Sequence, residues 1–347
     1  MIARFATRQE ITDWNTHILA NPDGGNVFQS FELGEIKSHN GWKIRYVIAG
    51  ELAITIHERF IPSFGKLWYI PKGPGVSNVK ELEPILAALR KFAFRRGVFL
   101  IKIEPEIVKT NTALRALSDL PLIVSRPVQP NFATVILDLD KSSDEVMAAL
   151  PQKSRHALKR AVRDGVTITS GGPTKKNLAI MSHLMQVTMA DKPGAIREQA
   201  YYESFWKLYC DHGLGKLFFA YYDGQPVAGA FVMTYGKKAT YKDGGSVRDK
   251  TVYGASHALQ WHIIEWLIEQ GITSYDLCGT PPIDDIDNRD HPLYGVGLFK
   301  TSFNKEVTEF IGLYDFPIQS QIYAFWEKFG QRAASRFYAS ILKRSFY

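Results

Sequence analysis

Five cations packed into one short stretch are the densest charge chemistry in the sequence. Lys153, Arg155, Lys159, Arg160 and Arg163 lie among Ala157, Leu158, Ala161 and Val162, which recur at helical spacing and end at Gly165 as the helix C-cap. Such a helix either turns its cations to water or presents them to phosphate groups, and both readings stay open. Arg197 and Tyr201 stand four residues apart in a helix read from about Arg197 to Asp211, so they share a face. Lys37 comes late in a helix over about 31–40, where the dipole favours a cation. Taken by themselves, Lys37 and Arg197 read as surface ion-pair residues, Glu104 in Ile103-Glu-Pro as a strand-end cap, and Tyr241 and Tyr253 as core tyrosines.

A second theme is strand, Gly-rich turn, helix, which offers backbone N–H groups to an anion. The familiar catalytic signatures are missing: no Gly-x-Ser-x-Gly elbow, Walker loop, His-Glu-x-x-His or dinucleotide fingerprint occurs. Cys210 and Cys278 are too few for a disulfide framework or a zinc site, and the nine histidines lack metal-ligand spacing. The polar run 280–294 carries several Asp residues and His291. It lacks the order of a calcium loop and reads as solvated. No metal is expected.

At 347 residues the chain exceeds what one hydrophobic core usually serves, so two domains are expected. A 45% hydrophobic and 22% charged composition is that of a soluble globular protein. With no apolar h-region at the N-terminus and no run near the ~20 apolar residues of a membrane helix, a cytoplasmic location is expected. The net formal charge of +7 favours anionic partners without deciding among them. A monomer is the default.

The elements that must position these residues occur twice. Tyr46 to Ile56, then 65–74, a helix from Val79 to Arg96 and the strand after Gly97 make one copy. Leu217 to Met233, then 239–246, a helix from His257 to Gln270 and the strand after Gly271 make the other. In each, a hairpin leads to an aromatic strand, a Gly-rich turn, a helix, a Gly and a buried strand. Two like units side by side would leave a cleft for a large substrate. Elsewhere, Arg8 to Asn21 reads as a helix with Trp14 and Ile18 on one face, and Ser143 as the N-cap of the next domain's first helix. Residues 131–139 read as a strand closing the first domain. A final strand is read over 308–318. The expected boundaries are 1–145 with 317–347, and 146–316. The aromatic, basic helix from Tyr323 to Lys343 could touch an anionic membrane, although its aromatics read mostly as packing.

An ordered set of motifs resembles the Fem family of tRNA-dependent aminoacyltransferases that build peptidoglycan interpeptide bridges. The set comprises Phe28-Gln-Ser with Lys37, Tyr69-Ile-Pro-Lys-Gly-Pro and the basic segment 153–166. It continues with Tyr241-Lys-Asp-Gly-Gly-Ser, Tyr275-Asp-Leu-Cys-Gly and Gly297-Leu-Phe-Lys-Thr-Ser-Phe-Asn. The resemblance implies an α+β fold of two tandem acetyltransferase-like (GNAT) domains, with the C-terminal helix returning to the first. It also implies aminoacyl-tRNA as co-substrate with no other cofactor. The acceptor would be the side-chain amine of stem-peptide residue 3 on UDP-MurNAc-pentapeptide or lipid II. No long coiled-coil arm is present, as in compact members that use the nucleotide-linked precursor.

Carried over by motif, Lys37, Arg197 and Tyr201 would hold the diphosphate and adjacent groups, and Tyr241 or Tyr253 would line the peptide. Lys300, after Phe299, would sit at the reacting carbonyl as oxyanion stabiliser. Glu104 stands where the family commonly has Asp before Pro, which departs from its pattern. The chemistry is expected on the second copy, with the first copy and Lys37 holding the precursor. Two other classes compete. An acyl-CoA-dependent tandem GNAT would need an [Arg/Gln]-x-x-Gly-x-[Gly/Ala] turn, which neither 72–76 nor 252–257 matches. A non-catalytic tRNA- or RNA-binding module would account for the charge without any recognisable RNA motif.

Overall fold

The computed structural model describes residues 1–128, 132–190, 198–247, 253–340 and 346–347. These fall into two units, Met1–Phe132 with Phe310–Tyr347, and Ala133–Glu309. The first begins with β1 (Ala3–Phe5), α1 (Arg8–Thr12), α2 (Trp14–Leu19) and α3 (Phe31–His39). A meander of β2 (Lys43–Ala49), β3 (Leu52–Ile61) and β4 (Gly65–Ile70) leads through α4 (Leu82–Phe94) to β5 (Val98–Ile103). Then come α5 (Asn111–Ser118) and β6 (Ile123–Val124).

The second unit opens with β7 (Ala133–Asp138), α6 (Ser143–Ala149), α7 (Gln152–Arg163) and β8 (Thr167–Gly171). Helices α8 (Lys175–Met189) and α9 (Gln199–Asp211) precede the meander β9 (Gly215–Tyr222), β10 (Gln225–Tyr235) and β11 (Lys238–Ser246). It closes with α10 (Ala255–Glu269), β12 (Ser274–Gly279), α11 (Tyr294–Lys300) and β13 (Thr308–Glu309). The chain then re-enters the first unit as β14 (Tyr314–Pro317), α12 (Ser320–Phe325), a π-helical turn (Trp326–Gly330) and α13 (Gln331–Ser340).

The duplication seen in the sequence is a duplication of topology. One sheet runs β1-β2-β3-β4-β5-β14-β6 and the other, reversed, β8-β9-β10-β11-β12-β7-β13. In both, a hairpin pair continues antiparallel into the third strand, which pairs parallel with the strand after the helix. The parallel step requires a crossover, and α4 and α10 supply it. Leu82, Ile85, Leu86, Leu89 and Phe92 recur at helical spacing and bury α4 against Trp68 and Ile101. Leu259, Ile263, Ile264 and Leu267 do the same for α10 against Phe218, Tyr275 and Leu277. Both helices stop at a left-handed glycine, Gly97 (φ 69°) and Gly271 (φ 70°). After Gly271 the Ile272 N–H donates back to Leu267 O at 3.0 Å, so the chain reverses into a strand. The fold is therefore α+β, with two GNAT-like units.

Several boundaries differ from those read in the sequence. Residues 133–138 do not close the first sheet. They pair with β12 (Tyr275↔Leu137) and β13, which moves the boundary from 145 back to 132. The expected final strand over 308–318 is two: β13 joins the second sheet, and after Gly312 (φ 87°) β14 joins the first, moving that boundary to 309. Alternation shows that a segment is a strand but not which sheet edge receives it. Ser142, not Ser143, is the N-cap of α6, because its side chain and that of Glu145 complete a capping box. Arg8 to Asn21 breaks at Asp13 into α1 and α2, with Trp14 and Ile18 buried. Among the described residues no helix is long and apolar enough to cross a membrane.

Candidate active site

Beyond Thr240↔Asp276 the parallel strands β11 and β12 part company. β11 stays paired with β10 as far as Ser246, while β12 follows β7 to Gly279 through a register shift after Asp276. The divergence leaves a cavity of about 390 Å³, lined among others by Tyr241, Gln260, Cys278, Phe299 and Lys300. Carbonyls on a splayed strand edge lose their ladder partners and require other donors. Lys300, at the end of α11 and only 7% exposed, supplies them: its Nζ donates to Cys278 O and Gly279 O, each at 2.9 Å. Cys278 takes a left-handed φ of 61°, and its N–H donates to Asp276 Oδ1 at 2.6 Å, which fixes that turn. An ammonium has three N–H donors, so one remains for a ligand in the cavity. Burial lowers the pKa of Lys300, while Cys278 and Asp276 act against that shift.

Phe299 is held from below by rings. His257 lies edge-on at 5.3 Å, and Phe303 at 5.3 Å. His257 Nε2 lies 3.0 Å from Ser302 Oγ, and that hydroxyl donates to Phe299 O. Burial, aided by Lys153, pushes His257 down to about 4, so the imidazole is neutral at physiological pH. The turn that presents Lys300 is thus anchored by uncharged contacts.

Three lining groups escaped the sequence reading. Gln260, on the buried face of α10, accepts from the Tyr275 hydroxyl at 2.8 Å through Oε1, while its Nε2 has no hydrogen-bond partner. A buried donor left over beside a cavity is a ligand donor in waiting. Lys242 lines the same cavity as Tyr241, because a bulge opposite Phe231/Val232 breaks the alternation of β11. Its Nζ pairs with Asp243 Oδ1 at 3.0 Å, and Asp243 Oδ2 accepts from Trp206 Nε1 at 2.9 Å. Cys278 is the third. The Gly-Gly in Tyr241-Lys-Asp-Gly-Gly-Ser was the available signal. A Cβ on Gly244 would lie 1.7 Å from the Tyr241 hydroxyl oxygen. Gly244→Ala is therefore expected to displace the Tyr241 ring and narrow the cavity. Turnover should fall about tenfold or more through misplacement, while the melting temperature changes far less than for a core lesion. An unchanged kcat/KM would remove Tyr241 from the site.

The structure brings Tyr241, Phe299 and Lys300 together around this cavity, and Tyr201 and Tyr253 of the same unit are not among its lining residues. Tyr201 lies half-buried on α9 against Tyr202 and Phe205, and its charge interaction reaches Lys242. Tyr253 is 39% exposed beneath the Arg160 guanidinium at 4.8 Å, away from the cavity lining. Arg197 lies outside the described residues. Lys37 and Glu104 belong to the first unit, where burial first, and then the Lys37 and Arg59 charges, lower the pKa of His57. On α7, Arg155 caps Ala148 O and Leu150 O, and Arg160 and Arg163 pair with Asp164. That favours the solvated reading of the basic helix, and Val162, read as apolar-face, is 76% exposed.

In the first unit the corresponding gap is filled. β4 and β5 stay paired to Ile70↔Ile103, and buried Lys72 follows, 3.3 Å from Glu106 and 3.9 Å from Glu104. The Tyr69 hydroxyl, the counterpart of Tyr241, donates to Glu104 Oε2 at 2.7 Å. Burial raises the pKa of Glu104, and Lys72 and Tyr69 oppose the rise. The duplicated frame therefore carries an internal ion cluster in one copy and an open, cation-floored cavity in the other.

A model of the FemAB family matches residues 8–117, 123–224 and 214–330. A lipid II:glycine glycyltransferase of Staphylococcus saprophyticus is 22% identical over 398 residues, covering 91% of this chain and 94% of that protein. A UDP-N-acetylmuramoylpentapeptide-lysine N(6)-alanyltransferase of Weissella viridescens is 26% identical over 321 residues, covering 86% and 91%. A crystal structure of FemX superposes with a TM-score of 0.80 at 21% identity, covering 94% of this chain and all of that one, a likeness of fold.

Proposed function

The chain belongs to the FemAB family, and on that premise we propose that it is an aminoacyltransferase of peptidoglycan bridge synthesis. It transfers an amino acid from aminoacyl-tRNA to the side-chain amine of stem-peptide residue 3, on UDP-MurNAc-pentapeptide or lipid II. The relatives named for glycyl and alanyl transfer to such precursors support the reaction class. The observation that carries it to a site is the Lys300 ammonium, pinned by two carbonyls at the floor of the second unit's cavity. A cytoplasmic location accords with these substrates.

The ester of an aminoacyl-tRNA is already activated, so positioning and charge stabilisation suffice. The neutral acceptor amine attacks the ester carbonyl, forming the C–N bond. The carbonyl oxygen gains negative charge within reach of the third Lys300 N–H and the unpaired Gln260 Nε2. Collapse breaks the C–O bond, and the proton lost by the amine leaves with the ribose hydroxyl. No protein nucleophile and no further cofactor enters this scheme. Phe299 packs the wall beside Lys300, and Tyr241 borders the acceptor side. Lys37, Arg197 and Tyr201 remain proposed contacts for the diphosphate, where a guanidinium fork and an ammonium suit phosphate oxygens.

Purified protein incubated with glycyl-, alanyl- or seryl-tRNA and muramoyl-pentapeptide precursor is expected to extend the stem peptide by mass spectrometry. Acyl-CoA in place of the charged tRNA is expected to give nothing. Product from acyl-CoA alone would replace this reading with that of a tandem acyl-CoA transferase.

A further inference from the structure

We propose that the C-terminal helical segment of the first unit, with the edge strand β6, forms a docking surface for an anionic phospholipid bilayer. Tyr323, Trp326 and Gly330 turn inward, and Tyr323 and Trp326 pack with Leu67 and Phe99. The aromatics of this segment were read from sequence mostly as packing, yet three of them remain more than half exposed. Phe325, Phe329 and Phe337 are 59%, 51% and 53% exposed. Phe325 and Phe329 stand together, ring centroids 5.3 Å apart, and Phe325 also stacks on Phe64 at 5.8 Å. Val124, at the sheet edge and lining a groove against the same helical segment, is 77% exposed. Large apolar side chains projecting together into water indicate a surface that meets another phase or partner.

The charge around them selects the partner. A groove of about 800 Å³ between β6 and the helix carries Arg126, Lys328, Arg332 and Arg336. Of the two carboxylates lining it, Asp315 is neutralised by the Lys102 ammonium at 2.5 Å, leaving Glu327 against four cations. Exposed phenylalanines and cations alternate along this one segment (Phe325, Lys328, Phe329, Arg332, Arg336, Phe337), the composition of an interfacial helix that seats rings in the acyl boundary and Lys/Arg among headgroup phosphates. RNA would also suit the cations. Bases could stack on the Phe rings, but the exposed aliphatic Ile123 and Val124 offer no stacking face, whereas an acyl boundary accepts both. The surface lies outside the cavity of the second unit, and the inference does not depend on which acceptor the enzyme uses.

The test is co-sedimentation of the full chain with vesicles of phosphatidylcholine alone or with about one third phosphatidylglycerol. Binding is expected only to the anionic vesicles and should weaken as salt is raised. In R332Q/R336Q, binding should fall about 25-fold, about fivefold per cation. Phe329→Ser should lower it about tenfold through lost apolar burial. Unchanged far-UV circular dichroism and melting temperature certify each variant's fold without reference to activity. Equal binding of variants and parent overturns the proposal, as does equal binding to neutral vesicles or none to either. Loss of tRNA binding in R332Q/R336Q, with vesicle binding intact, assigns the surface to nucleic acid and equally overturns it.

Discussion

Lys300→Met is expected to lower kcat by about 10²–10³, the usual effect of deleting one preorganised oxyanion donor, with KM for the precursor little changed. Methionine keeps the length and apolar stem but donates nothing to the carbonyl oxygen. Lys300→Arg is not expected to rescue. The guanidinium keeps the charge, but its planar fork cannot replace a point donor held between Cys278 O and Gly279 O. Stability offers a separate readout. Removing the ammonium relieves the cost of burying a charge but leaves two carbonyls without a donor, at about 1–3 kcal/mol each. A modest net change in unfolding free energy with a large loss of turnover is therefore expected. Collapse of both together would make Lys300 structural.

The pH dependence carries a sign that distinguishes the roles. Burial holds the pKa of Lys300 below that of a free lysine. The ammonium, and turnover with it, should therefore fade on the alkaline side at a lower pH than the ordinary value of about 10.4. Between the folded and unfolded values, the unfolded chain binds this proton and the folded chain does not. The contribution of Lys300 to unfolding free energy thus rises with pH across that window. Relative to Lys300→Met, the parent protein should gain stability as it loses activity. Parallel alkaline losses of both would contradict the assignment.

Local features were legible in the sequence wherever short-range chemistry decides them. The hairpin–strand–helix–strand copies and the glycines that stop α4 and α10 were readable, because periodicity and turn residues act over a few positions, whereas Phe299-Lys300 stood out only through the motif resemblance. Tertiary pairing settled the rest. Nothing in the alternation of residues 133–138 states that they join β12 rather than β5. Gln260 looks like any polar residue in an amphipathic helix until its Oε1 is seen spent on Tyr275. Lys242 should face away from Tyr241 by strand period, and only the bulge brings both to the cavity. The exposed phenylalanines of the last helix were indistinguishable from its buried Trp326 by composition alone. What they face depends on a π-helical turn, Trp326–Gly330, that interrupts the regular 3.6-residue repeat.

Asp315→Ala is expected to be the most destabilising single substitution outside the hydrophobic core, about 3–5 kcal/mol, because it strands a buried ammonium. Lys102 lies fully buried on β5 and donates to Asp315 Oδ1 at 2.5 Å and to Ser125 Oγ at 2.7 Å. Asp315 sits on β14 and also accepts from the Tyr323 hydroxyl at 3.2 Å. One ion pair therefore ties the returning chain to the first sheet at the register Asp315↔Lys102 and orients α12 above it. Burial depresses the pKa of Lys102 and Asp315 restores part of it, so removing the carboxylate leaves only the depressing influence. Asp315→Ala should thus shed the proton of Lys102 at a lower pH than the parent does, and regain stability over a wider alkaline window. The double variant Lys102→Met/Asp315→Leu exchanges the pair for apolar side chains of similar bulk and is expected to recover most of the loss, since buried pairs often yield little net stability. Denaturant unfolding of the parent, both single variants and the double variant closes the cycle. A mild Asp315→Ala phenotype, or a double variant worse than either single one, would show that the attachment of β14 rests on Tyr314 and Phe316 packing rather than on the pair.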